Sequence, residues 1–373
     1  MRRSTRRYRI LAFAVVLIGL AIVGCPPRPP VCIPISSIEE LQRIGNDPGY
    51  PLDRSYYLTQ DIDASVTATW NGGAGFAPIG ALSQDYGEYY PELAFTGTFD
   101  GKGYVINDLT ICRPEQFPVG LFAVVGGGGV IQNLGLEGGA VTGLAGVGGL
   151  VGYNVAATIS ECYATGAVTA MGTAEYDAYA GGLVGFNEDG CISKSCATGA
   201  VTSTGDSAIA GGLAGANSEG TISKSYATGA VTATGSWAKA GGLLGGNQGG
   251  AISQCYATGA VTSTGPWQSL AGGLVGVSSS GTISECYAVG AVTATGGVEE
   301  LYAGGLLADK WDGTVKSSFW DTETSGMTES DGGTGLPTAL MQTESTFTDA
   351  GWDFVEVWYM LEGGSYPYLW DVP

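Results

Sequence analysis

Residues 210–235 read AGGLAGANSEGTISKSYATGAVTATG, and this stretch decides the fold. Ala210 to Asn217, Gly220 to Ala227 and Thr228 to Gly235 are three short β-prone segments, rich in Thr, Val and Ile and separated by glycine and polar residues. None shows the 3.6-residue apolar period of a helix long enough to pack. The same unit recurs along the chain. The leucines of successive Gly-Gly-Leu triplets stand at Leu150, Leu183, Leu213, Leu243, Leu274 and Leu306, spaced 33, 30, 30, 31 and 32 residues apart. A second apolar position follows at Ile159, Ile192, Ile222, Ile252, Ile283 and Val315, and a third at Val168, Val201, Val231, Val261 and Val292. A looser unit begins at Gly120-Leu121-Phe122 and reaches Ile131.

One such unit cannot bury its own apolar positions, whereas stacking units at the spacing of parallel strands, about 4.8 Å, places leucine over leucine and isoleucine over isoleucine. The expected fold is therefore all-β, a parallel β-helix (β-solenoid) of about-30-residue, three-strand coils. A β-propeller blade needs four strands in about 40 residues, which these units do not supply. Glycine, 64 of 373 residues without a Gly-x-y period, is assigned to corners with positive φ and to places where coils approach closely.

The repeats resemble those of the GLUG-motif proteins, bacterial surface proteins with Gly-Gly-Leu-Val-Gly-x-Asn followed by an Ile-Ser-x-Cys/Ser-Tyr-Ala-Thr-Gly segment. Gly181 to Asn187 and Ile222 to Gly229 carry the match. It extends to Tyr57 to Asp63, Phe95 to Gly101, Gly351 to Phe354 and Tyr366 to Leu369. The resemblance implies an adhesin-like or modular surface protein and transfers no catalytic motif. The pattern departs where Val277 stands for the strand-end Asn, and where Leu307-Ala308-Asp309 replaces Val-Gly-x.

The ends read differently. Arg2, Arg3, Arg6, Arg7 and Arg9 precede an uncharged apolar run, Ile10 to Val23, that closes on Gly24-Cys25. That is the layout of a secretory signal, and its last residues resemble a lipoprotein lipobox with Cys25 as the lipidated residue. The organisation expected is a lipoprotein signal peptide over 1–24 and a Pro-rich tether over 25–35. An N-terminal cap with the first coils follows over 36–119, glycine-rich repeats over 120–318 and a C-terminal cap over 319–373. Ser36 or Ser37, with Glu39 or Glu40, is a capping box for a short helix carrying Ile38, Leu41 and Ile44 on one face. Phe319, Trp320, Trp352, Phe354, Trp358, Tyr359, Tyr366, Tyr368 and Trp370 mark an aromatic C-terminal cap, or a surface on which sugar rings stack.

Removing the signal's five arginines leaves 10 Lys and Arg against 35 Asp and Glu and takes the formal charge from -20 to -25. Such a surface repels nucleic acid. With no histidine in the chain, His-based triads and the commonest metal ligand are excluded. There is no CxxC pair, P-loop or Gly-x-Ser-x-Gly elbow. Charged residues of the repeats sit singly, with Lys194 and Lys224 in the slots of Glu161 and Glu285, so an enzyme is not expected, although β-helix polysaccharide lyases and hydrolases make one the alternative. Cofactors are not expected. Asp61, Asp63 and Asp100 are the candidate calcium ligands, weighed against ordinary turn capping. Cys255 and Cys286 share a register within reach of a disulfide, but Ser195 and Ser225 hold the same site, which favours a ladder of small residues. Recognition is assigned to the variable connection before each Ala-Gly-Gly, with Tyr176, Tyr179, Trp237, Trp267 and Tyr302 as the contact edge. The function expected is a binding or structural scaffold, lipid-anchored to the cell envelope at the outer membrane or cell surface, with a glycan or protein ligand.

Overall fold

The computed structural model describes residues 32–82, 93–297 and 300–373. They wind as a parallel β-solenoid with five short strands in each regular coil rather than three. One coil runs through Val184–Glu188, Cys191–Ser193, Cys196–Ala197, Val201–Thr204 and Ser207–Gly211. Each strand pairs in parallel with its equivalents in the coils before and after. Five faces result, here numbered in the order of that coil, with 7, 10, 10, 7 and 6 strands among the described residues.

Two of the three sequence segments break at corners, each for its own reason. The first breaks at Gly-Gly-Leu, where the demand is for space: a Cβ on Gly211 would lie 1.9 Å from the carbonyl oxygen of Ala214, and one on Gly212 2.1 Å from that of Gly242. The second breaks one residue after Ile-Ser, where the chain turns through positive φ at Glu161, Lys194, Lys224, Gln254 and Glu285. None of these is glycine, although the left-handed conformation costs roughly 1–2 kcal/mol with a Cβ present. Hydrogen bonds from neighbouring coils hold the corner in place; the Lys194 amide, for example, donates to the Ser223 carbonyl at 3.1 Å.

Leu121, Leu150, Leu183, Leu213, Leu243, Leu274 and Leu306 are all fully buried, one per level through seven levels, with the isoleucines and valines stacked in parallel columns. Full burial of each leucine contributes about 1.5–3 kcal/mol. Polar columns run through the same interior. The Asn154 amide donates to Asn187 Oδ1 at 2.6 Å, Asn187 to Asn217 at 2.6 Å and Asn217 to Asn247 at 2.9 Å, and Asn247 donates to Ser278 Oγ at 3.3 Å. Each amide also reaches a carbonyl three residues on, as in Asn217 to Gly220 at 3.0 Å. Register therefore puts Ser278, not Val277, in the asparagine column, and Val277 pairs with Gly246 on the outer surface. The ladder starts at Asn154, whose Oδ1 has no hydrogen-bond partner among the described residues, Val125 occupying the equivalent position in the coil before. A second column holds Cys162, Ser195, Ser225, Cys255, Cys286 and Ser318. In it the hydroxyl or thiol donates to the carbonyl two residues back, at 2.8 Å for Ser195 and 3.1 Å for Cys255. Cys255 and Cys286 are unbridged, so the small-residue ladder is what the structure shows.

At the N-terminal end the helix Ile38–Arg43 starts at Ser37, whose hydroxyl accepts from the Glu40 amide at 3.3 Å, and it buries Ile38 and Leu41 in the solenoid core. Asp100 ties neighbouring coils: its carboxylate meets Lys102 Nζ at 2.8 Å and accepts from Gln132 and Asn133 of the next coil, both at 3.1 Å. At the other end Trp320 fills the core under the last coil, and Thr334–Leu336 adds a strand beyond it to face three. The segment that follows turns back along the outside of face three. It covers a stack of Tyr226, Tyr256 and Tyr287, whose rings lie 4.8 and 5.0 Å apart, with Phe347, Trp352 and Trp358. Tyr287 donates to the Pro367 carbonyl at 2.6 Å and Tyr226 to that of Pro373 at 2.9 Å.

Breaking the asparagine ladder in its middle leaves Asn247 Oδ1 buried without its donor and one N–H of the Asn187 amide without its acceptor, while the Gly220 carbonyl keeps its bond from the Ala251 amide. Asn217→Ala is expected to cost about 2–4 kcal/mol, read as a lower urea midpoint, and Asn217→Ser less, since serine already serves at Ser278. Burial alone would raise the Asp100 carboxyl, but the bonds from Lys102, Asn133 and Gln132 outweigh it and hold it at about 2. The stability it contributes is therefore present above the ordinary carboxylate pKa and is lost as pH falls from about 4 to about 2. In Asp100→Asn that loss, about 1–2 kcal/mol, should be missing from the acid limb of a pH series of urea midpoints.

Candidate functional site

Outward side chains of faces five and one look at each other across a re-entrant corner. Two observations fix this geometry. Tyr179 of face five meets Phe186 of face one edge-on, with ring centroids 5.1 Å apart, and a Cβ on Gly146 would touch the Tyr153 ring at 2.1 Å. In both pairs the partners are seven residues apart, with the Gly-Gly-Leu corner between them. Applied along the solenoid, that offset pairs Ile209 with Ala216, Lys239 with Gly246, Leu270 with Val277 and Tyr302 with Asp309.

Each partner column is continuous. On face five Tyr179, Ile209, Lys239, Leu270 and Tyr302 are register neighbours. On face one the column runs Tyr153, Phe186, Ala216, Gly246, Val277 and Asp309. Side chains shrink from Phe186 to Gly246 and grow again at Val277, and the gap they leave is a trough of about 430 Å³. Ile209 and Leu270 point outward but are 6% and 1% exposed, because they lie at the bottom of the corner. Between them Lys239 is half-buried, with no ion pair among the described residues. The neutral side chains Ser218, Gln248 and Ser279 form the face-one rim. Burial pushes the Tyr153 phenol up to about 12 and, with Asp177 beside it, raises that of Tyr179, so both rings remain neutral hydroxyl donors at physiological pH.

The residues expected to form the contact edge are distributed over this region. Tyr179 is a wall of the trough. Trp237 stands two residues before Lys239 on the same outward side, 44% exposed. Trp267 is 51% exposed but lies one residue out of register, since Trp237 pairs with Gln268; the two indoles are neighbours along the edge and not register partners. Tyr302 closes the column at the C-terminal side, 49% exposed. Tyr176 lies apart from it, its ring 4.9 Å from that of Phe117 beside a separate depression near Arg113. Phe186 and Gly246 lie outside the expected contact edge, and Lys239 stands within one of its variable connections without being singled out there. The fixed seven-residue spacing across Gly-Gly-Leu is the signal that points to them.

The carboxylates considered for calcium are engaged locally. Asp61 accepts from the Val105 amide and Asp63 from that of Ser65, both at 2.9 Å, and Asp100 is paired with Lys102. No group of three or more Cys, Asp or Glu placed to share a metal occurs among the described residues. Of the C-terminal aromatics, Phe319, Trp320, Trp352 and Trp358 are buried. Tyr359, Tyr368 and Trp370 stay on the surface, with Tyr359 4.4 Å from Trp370. Cys25 lies outside the described residues.

Comparison with known proteins bears on the repeat and on the fold. Halomucin of Haloquadratum walsbyi is 39% identical over 148 residues, which are 39% of this chain and 2% of the relative. A candidate Gly-rich membrane protein of Evansella cellulosilytica is 44% identical over 66 residues, 18% of this chain and 7% of the relative. The chain thus spans a small part of either relative's length. Among solved structures, a Bacteroides ovatus protein described as a candidate immunoglobulin A1 protease superposes with a TM-score of 0.53 at 18% identity. That match covers 90% of this chain and 91% of the other, and it is a likeness of fold. The model of the GLUG motif matches residues 143–169 and 240–262, which span the face-one strand, the isoleucine strand and the valine strand of two coils. The chain carries repeats that match the GLUG motif and is built as a parallel β-solenoid.

Proposed function

We propose that this protein is an envelope-attached binding scaffold, adhesin-like in that it presents a ligand-contacting edge on a rigid rod and does not turn its ligand over. The observation that carries this reading is the contrast between faces. Interior columns repeat the same residue type from coil to coil, while the outward column of face five changes at every level, from Tyr179 through Ile209, Lys239 and Leu270 to Tyr302. Side chains that vary from level to level, flanked by exposed aromatics such as Trp237, Trp267 and Tyr302, are what a recognition surface uses.

Attachment is proposed to follow export and lipidation at Cys25, and the names of the Haloquadratum and Evansella relatives accord with an envelope setting. The Bacteroides likeness is one of fold and brings no catalytic residue to this chain. Among the described residues the one ion pair on the repeats, Lys194 with Glu161 at 3.6 Å, is exposed and isolated, unlike the converging carboxylates that glycan cleavage needs.

Full-length protein incubated with a broad glycan panel, scored for retention and product release in the same samples, tests the reading. Retention without release is expected, and Trp237→Ala/Trp267→Ala should weaken it about tenfold or more, the loss of one or two aromatic contacts. Release of oligosaccharide would make the protein an enzyme and overturn the proposal.

A further inference from the structure

We propose that the trough at Lys239 is a site for the carboxylate of an acidic sugar chain. The inference rests on face five being the ligand edge and adds the ligand class.

Of the five cross-corner pairs from Tyr179–Phe186 to Tyr302–Asp309, Lys239–Gly246 alone sets a cation against an absent side chain. A Cβ on Gly246 would meet a single neighbouring atom within 4 Å, Val277 Cγ1 at 3.8 Å, so the space there is open and the backbone does not require glycine. The lysine stem lies between Ile209 and Leu270, both nearly inaccessible, which directs the ammonium into the trough rather than along the surface. A cation on an apolar floor, without a partner carboxylate, in a chain with more than twice as many acidic as basic residues, is matched by an anionic group brought by a ligand. Acids at its margin are engaged elsewhere: Asp177 accepts from the Tyr179 hydroxyl at 3.2 Å, Glu300 from the Gln268 amide and, on face one, Asp309 from Trp311 Nε1 at 2.7 Å. More distant charges are screened over about 8–10 Å at physiological salt.

Two features select a sugar over a peptide. Backbone groups of faces five and one are paired from coil to coil, so the trough offers no open strand edge for a peptide backbone to join. Instead it offers Ser218, Gln248 and Ser279 for hydroxyl groups, and the exposed Trp237 ring, on the same side of the same strand as Lys239, for the face of a sugar ring.

The test measures binding of the full chain to polygalacturonate, alginate and hyaluronate, each beside its methyl ester, with dextran and poly-glutamate as further probes. At least one acidic polysaccharide should bind, its ester should bind about ten- to a hundredfold more weakly, and Lys239→Met should cause a similar drop, the range for one charge-assisted hydrogen bond. Lys239→Arg should retain binding. Gly246→Phe, which copies Phe186 in the same column, should block the trough while leaving the circular dichroism and melting temperature of the rod unchanged. Equal binding of acid and ester, indifference to Lys239→Met in a folded variant, or equal binding of poly-glutamate would each overturn the carboxylate-sugar site. Retention of dextran that depends on Trp237 and not on Lys239 would do so while leaving the binding scaffold standing. Failure to retain any polymer would remove both.

Discussion

Each interior residue of the regular coils is constrained by the residue one coil away. Parallel pairing places equivalent positions within a strand spacing of each other, so each interior side chain must pack on a near copy of itself. Leucine and isoleucine satisfy this by stacking in apolar columns and asparagine by donating its amide to the next asparagine, while on the outside of face three tyrosine does the same by ring stacking. A group that cannot accept its own neighbour is confined to the outer columns or to the ends. Trp320, paired with Ala288, can replace the small interior residue only because no further regular coil follows it.

That constraint explains what could be read from the sequence. Fixed spacings of Leu150, Leu183, Leu213 and their successors announce both the period and the interior direction, and the solenoid follows from them. Corners were less legible. The turn after Ile-Ser is taken by Glu161, Lys194, Lys224 and Gln254, residue types that give no hint of positive φ, because the conformation is imposed by the coils on either side. Three apparent strands consequently became five. Glycine, the usual sign of positive φ, marks the opposite situation at Gly211 and Gly212, where a neighbouring backbone lies too close for a side chain.

The candidate site was half legible. Aromatic residues in variable connections pointed to the face that carries the trough, and Tyr179, Trp237 and Tyr302 line or flank it. What could not be seen was that faces five and one meet at a re-entrant angle, so that Phe186, Lys239 and Gly246, conspicuous neither by type nor by motif, share one cavity. Assigning Val277 to the asparagine column concealed the same geometry, since Val277 is the trough's outer neighbour of Gly246. Asp61, Asp63 and Asp100 stand out in the sequence as acids, and in the structure they engage nearby amides and Lys102, in keeping with the local capping weighed against calcium.

The returning segment along face three alters how the rod would bear load. Tyr287 is tied to Pro367, and Tyr226, two coils further back, to Pro373. Tension entering along this segment would reach the rod at Tyr226 and Cys196 before it reached the last coil. The tyrosine stack and its tryptophan cover would then slide in shear, many contacts resisting at once, whereas an uncovered last coil would peel one strand at a time. Under such tension, that is the difference between an end that holds and one that unravels.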